Sequence, residues 1–322
     1  MTFRTLLRAL HSTDMVIVAF FSLLTLLNVA FAGRIPGWWI MVLINLAIIT
    51  GICLLALARA ASPLKILAYV HDWYVAPLVF FTFKELYFMI KPIHRGNDYD
   101  DWLIAADRWI FGVNPTEWLA QFSHPALTEV LQIAYTLFYV FFLIVGYELY
   151  RRHSHGVFHF FMFTCVYGFY LSYVGYFTLP AVGPRFTLHD FNTLDLELPG
   201  IWLTPYLRWF VNFGESVPMG VSSAEAMAGA QRDVFPSGHT MMTLVLMALG
   251  FKYRLTSRHF ILVNGILLII ATVYQRYHYV VDLVAGALCA VVCLYTAPKV
   301  YLFLRDKVQT MDSLHPWSPE DR

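Results

Sequence analysis

One short segment places a serine, a glycine and a histidine directly before an apolar run. It is Pro236-Ser237-Gly238-His239. Pro, Ser and Gly in this position predict the start of a helix. The first backbone N–H groups of a helix lack intrahelical partners and bind anions, helped by the helix dipole. The Ser237 hydroxyl adds a donor, and His239 in the first turn can give a proton to a bound phosphate.

A second segment pairs a histidine with a carboxylate. His278 and Asp282 are four residues apart, so they share a face of the helix predicted to begin there. A carboxylate bonded to one imidazole nitrogen fixes the tautomer and leaves the other nitrogen free to attack phosphorus. Arg276, just before this helix, has a planar guanidinium suited to phosphate oxygens.

A third segment, Leu179 to Phe186, supplies Arg185 as another candidate phosphate ligand. A lone histidine in a membrane helix more often packs than reacts, and Ser-Gly-His is a common tripeptide. The three segments nevertheless fall on one membrane face of the predicted topology. Two histidines, an aspartate and two arginines on one face favour a phosphoryl-transfer site.

The composition places these segments in a membrane protein. The chain has 322 residues, 59% of them hydrophobic and only 13% charged, against about 25% charged in soluble domains. A net charge of +1 gives no basic surplus for nucleic acid. The four cysteines lie in apolar runs and are expected to be thiols, without a disulfide or a zinc site.

Apolar runs of about 20 residues predict an all-α bundle of about eight transmembrane helices. The predicted spans are 15–32, 38–58, 69–90, 127–149, 157–179, 239–256, 259–275 and 278–304. The third contains His71, Asp72, Lys84 and Glu85, so it is expected to be broken or to face the protein interior.

The predicted domains are two N-terminal helices (1–68), a catalytic core (69–310) and a polar tail (311–322). The core has six helices, an interfacial helix within about 98–122 and an active-site loop over 180–238. Basic residues concentrate in the loops on the side of the termini, which predicts cytoplasmic termini and a site on the extracytoplasmic or lumenal face.

For some polar residues a structural role is favoured over a chemical one. Asp98, Asp100 and Asp101 could bind a divalent cation, but a solvated acidic loop is favoured. Lys84 and Glu85 are read as a structural pair rather than a headgroup contact. Five histidines are read as loop or interface residues: His94, His124, His153, His155 and His159.

The motifs around His239 and His278 resemble those of the type-2 phosphatidic acid phosphatase superfamily. Its Pro-Ser-Gly-His signature matches residues 236–239, and its His-x-x-x-Asp signature matches His278 and Asp282. The resemblance implies a helical bundle, a nucleophilic His278 that forms a phosphohistidine, an orienting Asp282 and a protonating His239. It implies phosphate contacts from Ser237 and the Gly238 amide, with no metal or other cofactor.

The sequence departs from this pattern at the arginines. The superfamily's third signature has Ser-Arg where this chain has Ala271 and Thr272. Its first signature has a lysine seven residues before an Arg-Pro pair, and relative to Arg185 the lysine and proline positions are Thr178 and Phe186 here. Gly-Pro-Arg, His-Tyr-x-x-Asp and the segment 107–112 look more like the inositol phosphorylceramide synthase and sphingomyelin synthase branch.

The sequence therefore predicts a membrane enzyme acting on lipid phosphate esters. The favoured activity is a lipid phosphotransferase that moves a phosphorylated headgroup to a lipid alcohol. The alternative enzyme is a lipid phosphate phosphatase, in which water is the acceptor. A transporter or non-catalytic scaffold is a third possibility, disfavoured because His239, His278 and Asp282 are all present.

Overall fold

The computed structural model describes residues 3–308, and every regular element in this range is helical. The predicted tail, 311–322, lies outside the described residues. In chain order the helices are α1 (Phe3–Ala9), α2 (Ser12–Ala30), α3 (Trp38–Ala61), α4 (Lys65–Trp73), α5 (Val75–Ile93), α6 (Asp100–Phe111), α7 (Pro115–Ala120), α8 (Pro125–Thr136), α9 (Phe138–Arg152), α10 (His155–Thr178), α11 (Pro184–Thr187), α12 (Leu194–Glu197, after a 3-10 turn at Phe191–Thr193), α13 (Thr204–Gly214), α14 (Ser223–Gly229), α15 (Gly238–Lys252), α16 (Arg258–Tyr274) and α17 (Val280–Val308).

Five helical stretches are long and apolar enough to cross a membrane. They are Ser12–Ala30, Trp38–Ala61, Lys65–Ile93, His155–Thr178 and Val280–Arg305. The pair α8 and α9, bent by 47°, adds a sixth if it is one span. The all-helical membrane bundle is thus confirmed, and the chain is an integral membrane protein.

Fewer than the eight predicted helices are long enough to cross a membrane. All eight predicted segments are helical, but α15 has 15 residues and α16 has 17, against about 20 for a full span. The predicted weakness of the third segment corresponds to a break between α4 and α5 at Tyr74.

The chain divides into two compact units. Among the described residues, unit 1 contains 3–96, 146–171 and 292–308, and unit 2 contains 97–145 and 172–291. The domain division predicted at residue 68 stays a prediction.

Unit 1 holds a buried polar triad made by three of its membrane helices. The side-chain amides of Asn28 on α2 and Asn45 on α3 donate to Glu85 Oε1 on α5, at 3.1 and 2.8 Å. All three side chains are buried. A polar group in an apolar bundle requires such partners, so the triad fixes how these helices pack. Glu85 thus has two asparagine partners in the bundle, and its predicted pairing with Lys84 stays a prediction.

Unit 2 corrects the prediction of a solvated acidic loop. Asp98 forms two contacts with Arg232, at 3.0 and 3.1 Å. Asp100 is 4% exposed, and only Asp101 is solvent-exposed. The prediction failed because a run of acidic residues does not show which carboxylate meets buried donors after folding.

Asp100 fixes the backbone of the Arg185 segment. It accepts the N–H groups of Val182 and Gly183 at 3.0 and 2.8 Å, and the Tyr279 hydroxyl at 2.8 Å. Burial raises the pKa of Asp100, and these hydrogen bonds oppose that shift. The carboxylate thus joins the segment before α11 to the segment that opens α17.

Asp100→Asn is expected to destabilise unit 2, because an amide cannot accept from all three donors and turns its own N–H groups toward them. An orphaned buried donor costs about 1–3 kcal/mol, so the midpoint of thermal unfolding in detergent should fall by roughly 5 °C. Asp101→Asn is the matched control and should leave the midpoint unchanged. Equal midpoints for both variants would contradict the role given to Asp100.

Candidate active site

The three predicted segments meet within unit 2 through backbone hydrogen bonds. The Arg185 N–H donates to the Arg276 carbonyl at 3.0 Å, and the Ser237 N–H donates to the Asp282 carbonyl at 3.0 Å. The structure therefore brings together residues from positions 185, 237 and 282.

Two glycines allow this close approach. Gly183 has φ of +95°, and a Cβ there would lie 2.7 Å from the Tyr277 carbonyl oxygen. At Gly286, on the first turns of α17, a Cβ would lie 2.5 Å from the Ser237 carbonyl oxygen. Any larger residue at Gly286 would push α17 away from the start of α15.

The helix that carries His239 begins as predicted. Ser237 is the N-cap of α15, and its Oγ accepts the Thr240 N–H at 3.2 Å. This bond uses the hydroxyl oxygen as acceptor and leaves its proton for an anion. Gly238 is the first residue of the helix, where a backbone N–H has no intrahelical acceptor.

The helix that carries Asp282 begins with help from Asp107. Its carboxylate accepts the N–H groups of Val280 and Val281, at 2.9 and 2.8 Å. These are donors that the first turn of α17 would otherwise leave without partners. Asp107 therefore acts as a cap supplied from another helix, α6.

His278 and Asp282 form a buried pair. His278 is 4% exposed and Asp282 is fully buried. His278 Nδ1 lies 3.4 Å from Asp282 Oδ2, which also accepts the Tyr279 N–H at 2.8 Å. The Tyr279 N–H thus holds the Asp282 carboxylate next to His278 Nδ1, where the carboxylate can orient the imidazole ring.

The His278 ring is held neutral. Burial, followed by His239 and Arg185, lowers the pKa of His278 well below its usual range, while a hydrogen bond to the Val234 backbone opposes the shift. Because Nδ1 has no hydrogen-bond partner among the described residues, the bond to Val234 is made by Nε2. A neutral imidazole is the form that can act as a nucleophile.

His239 faces His278 across the site. The two ring centroids are 5.8 Å apart in an edge arrangement, close enough for one phosphoryl group to contact both. Tyr135 stacks on His239 at 4.7 Å, and Phe138 lies 4.4 Å from it. His239 Nε2 is buried and has no hydrogen-bond partner in the described part of the chain, so it is available to a substrate oxygen.

Arg185 lies beside both histidines. Its Nη1 donates to Asn212 at 3.0 Å, its Nη2 contacts Glu215, and the guanidinium covers the Tyr277 ring at 4.9 Å. Burial lowers the pKa of Arg185, but the Glu215 carboxylate outweighs it and raises the pKa above the ordinary value. Its buried Nε has no partner among the described residues. That N–H can bind a phosphate oxygen while the other two nitrogens stay anchored.

Arg276 is placed differently. Its Nη1 lies 2.5 Å from Glu197 Oε2. The guanidinium also lies near His189, since burial and then the Arg276 charge lower the pKa of His189 to about 4. The backbone carbonyl of Arg276 accepts from Arg185, and the buried Nε of Arg276, like that of Arg185, has no partner among the described residues.

Several residues that support the site were not predicted. Glu129 accepts four backbone N–H groups and the Thr204 hydroxyl at the start of α13, the helix that carries Asn212. Glu215 and Asn212, which anchor Arg185, lie 30 and 27 residues away from it. No local motif links residues at these separations. Only their polarity in a largely apolar chain distinguishes them.

Comparison with known proteins gives one family match. Residues 101–296 match the family model of the PAP2 superfamily, and this range contains every residue of the predicted site. No curated protein and no solved structure matches the chain. Because the match covers more than half of the sequence, the chain belongs to the PAP2 superfamily, the type-2 phosphatidic acid phosphatases and their relatives. Membership supports a phosphatase-type enzyme acting on lipid phosphoesters.

The two arginines are expected to differ in importance. Arg185→Lys should reduce kcat/KM by about 100-fold or more, because lysine has no planar fork to bind Asn212, Glu215 and phosphate together. Arg276→Lys should reduce it by less than about tenfold, since its guanidinium is directed to Glu197. Phosphoester turnover by the purified variants measures both values. A larger loss in Arg276→Lys would place the phosphate nearer to Arg276.

Proposed function

We propose that the protein is a lipid phosphotransferase in which His278 carries the phosphorylated group as a phosphohistidine. His278 Nε2 attacks the phosphorus of a donor lipid, so a P–N bond forms and the bond to the leaving oxygen breaks. His239, which enters this step as the imidazolium, gives its proton to that oxygen and becomes neutral. The hydroxyl of a lipid alcohol then gives its proton to His239 and attacks phosphorus, so the P–N bond breaks and a new P–O bond forms.

The other predicted residues serve this reaction as ligands or supports. Ser237, the Gly238 amide and Arg185 bind the phosphate oxygens, with Arg276 as a more distant candidate. Asp282 orients His278. Before His278 can attack, its Nε2 must give up the hydrogen bond to the Val234 carbonyl and turn to the substrate. The proton of the His278 ring must also move from Nε2 to Nδ1, which lies 3.4 Å from Asp282 Oδ2. This function needs no metal at the phosphate site.

The observation that carries the proposal is the buried pair of facing histidines. Their ring centroids are 5.8 Å apart, and the buried nitrogens without a hydrogen-bond partner among the described residues are Nε2 of His239 and Nδ1 of His278, the nitrogen that faces Asp282. Two imidazoles on opposite sides of one phosphoryl group supply a nucleophile and a proton donor, the two functions this transfer needs.

Burial favours a lipid alcohol over water as the acceptor. His278 and Arg185 are each 4% exposed. On α13, which supplies Asn212, the exposed side chains include Tyr206, Trp209 and Phe213, between 55% and 68% exposed. A site that excludes water, beside an apolar surface suited to lipid, favours transfer over hydrolysis.

Hydrolysis is the second candidate. The superfamily match favours it, because phosphatases give the superfamily its name. The first half of the reaction is the same, with water in place of the alcohol in the second half. The branch related to inositol phosphorylceramide and sphingomyelin synthases, cytoplasmic termini and an extracytoplasmic or lumenal site remain parts of the proposal. They rest on motifs and loop charges.

Product analysis separates the candidates. Headgroup-labelled phospholipids and lipid phosphates are incubated with the purified protein, with and without ceramide or diacylglycerol. We expect label on the acceptor lipid, reduced at least about 1,000-fold in His278→Ala. His259→Ala, an exposed histidine on α16, is the matched control and should keep full activity.

The other outcomes are equally informative. Label released to water with or without the acceptor, and lost in His278→Ala, would identify a phosphatase. Properties unchanged by His278→Ala across the panel would favour the scaffold or transporter reading.

As the pH is lowered, activity is expected to fall only below the pH range in which an ordinary histidine titrates. A group whose pKa is lowered stays neutral to lower pH, so nucleophilic His278 should lose activity only as the pH falls through its lowered pKa. The kcat/KM profile, corrected for ionisation of the substrate phosphate, should therefore keep its plateau below pH of about 6.5. A limb centred at about 6.5 or above would contradict a buried, neutral His278 as the nucleophile.

A further inference from the structure

Unit 1 contains a cluster of titratable side chains that the phosphate chemistry does not use. It includes His11, Asp14, His71, Asp72 and His159, which line one small cavity. His159, predicted to be a loop or interface residue, is instead only 9% exposed. This concentration of imidazoles and carboxylates is unusual in a chain with so few charged residues.

One half of the cluster is satisfied by protein donors. Asp14 accepts the His11 N–H at 2.7 Å and the Tyr74 hydroxyl at 2.6 Å, and lies 3.0 Å from His71 Nε2. Three donors for one carboxylate describe a structural cap at the start of α2.

The other half has the geometry of a ligand set. Asp72 Oδ1 lies 3.1 Å from His159 Nε2. One ligand atom each from Asp72, His155 and His159 lies within 4.8 Å of the other two. His155 and His159 are four apart at the start of α10, so both rings lie on one helix face.

We propose that Asp72, His155 and His159 bind a divalent transition-metal ion of the zinc type, separately from the phosphate chemistry. Two imidazoles and one carboxylate form a set that zinc uses, with a fourth position open to water. Ligands about 2.1 Å from a tetrahedral ion lie about 3.4 Å apart. The Asp72–His159 separation already fits. His155 is solvent-exposed, so its side chain can rotate inward and gives the ion a path of entry.

The local charge also suits a cation. The charged groups of the cluster include Asp14 and Asp72, and the Arg59 guanidinium contacts His11. With neutral histidines, two carboxylates and one guanidinium leave one net negative charge for a divalent ion. Mg²⁺, which prefers oxygen ligands and octahedral geometry, should bind poorly to this set.

Zinc binding by the full-length protein tests the proposal. The detergent-purified chain, with its affinity tag removed and its metal stripped by chelation, is titrated with Zn²⁺ in competition with a chromogenic chelator. We expect one saturable site per chain, insensitive to excess Mg²⁺. His155→Ala and His159→Ala should each weaken binding by roughly tenfold or more. Zn²⁺ should raise the thermal midpoint of the wild type but not of His155→Ala.

Two control variants locate the ion. His153→Ala removes a histidine two residues before His155 and should bind Zn²⁺ like the wild type. His278→Ala should also retain zinc, because the site proposed here does not use the catalytic histidines. Absence of saturable binding, equal affinity in His155→Ala and the wild type, or loss of zinc in His278→Ala would overturn the proposal. His155 is exposed, so its removal should leave the fold intact even if His159→Ala unfolds.

Discussion

The Asp100 carboxylate holds the geometry of unit 2 at the point where separate parts of the chain meet. It binds two N–H groups of the segment that carries Arg185 and the hydroxyl of the tyrosine that follows His278. Asp107, two turns later on the same helix, binds the first N–H groups of α17. One short amphipathic helix therefore positions both Arg185 and His278, the proposed phosphate ligand and nucleophile. Buried carboxylates are expensive unless donors surround them, and here those donors are the backbone of the site itself.

The same rule governs the positive charges. Arg185 pairs with Glu215, Arg208 with Asp195, Arg232 with Asp98 and Arg276 with Glu197. All four guanidinium groups are buried. Each pair is nearly neutral as a whole, so an incoming phosphate meets oriented donors rather than a strong excess of charge. Specificity then depends on which N–H groups remain unbound, and the Nε of Arg185 is one of them.

The sequence predicted those parts of the site that depend on short spacing. A serine before a helix makes an N-cap, as Ser237 does. His278 and Asp282 do come together, 3.4 Å apart, but not on one helix face as predicted, because α17 begins at Val280 and His278 lies just before it. The N-cap follows from local geometry, and the apolar runs likewise located the helices. The partners of Arg185 and Arg276 could not be predicted, because Glu215 and Glu197 lie 30 and 79 residues away in the sequence and meet them only after the intervening helices have packed. The prediction of a solvated acidic loop failed for the same reason. Asp98, Asp100 and Asp101 are close in sequence, but each meets a different environment in the folded chain.

The lengths of α15 and α16 affect how deep the histidine pair lies relative to the membrane surface. At 1.5 Å per residue, 15 and 17 residues extend about 22 and 26 Å, less than the hydrocarbon thickness of about 30 Å. The start of α15 and the end of α16 both lead to the histidine pair. If their opposite ends reach one boundary of the hydrocarbon, the histidines lie recessed by several Å below the other. A donor could then present its phosphorus while its acyl tails stay dissolved in the bilayer, so discrimination between substrates would fall on the headgroup rather than on chain length.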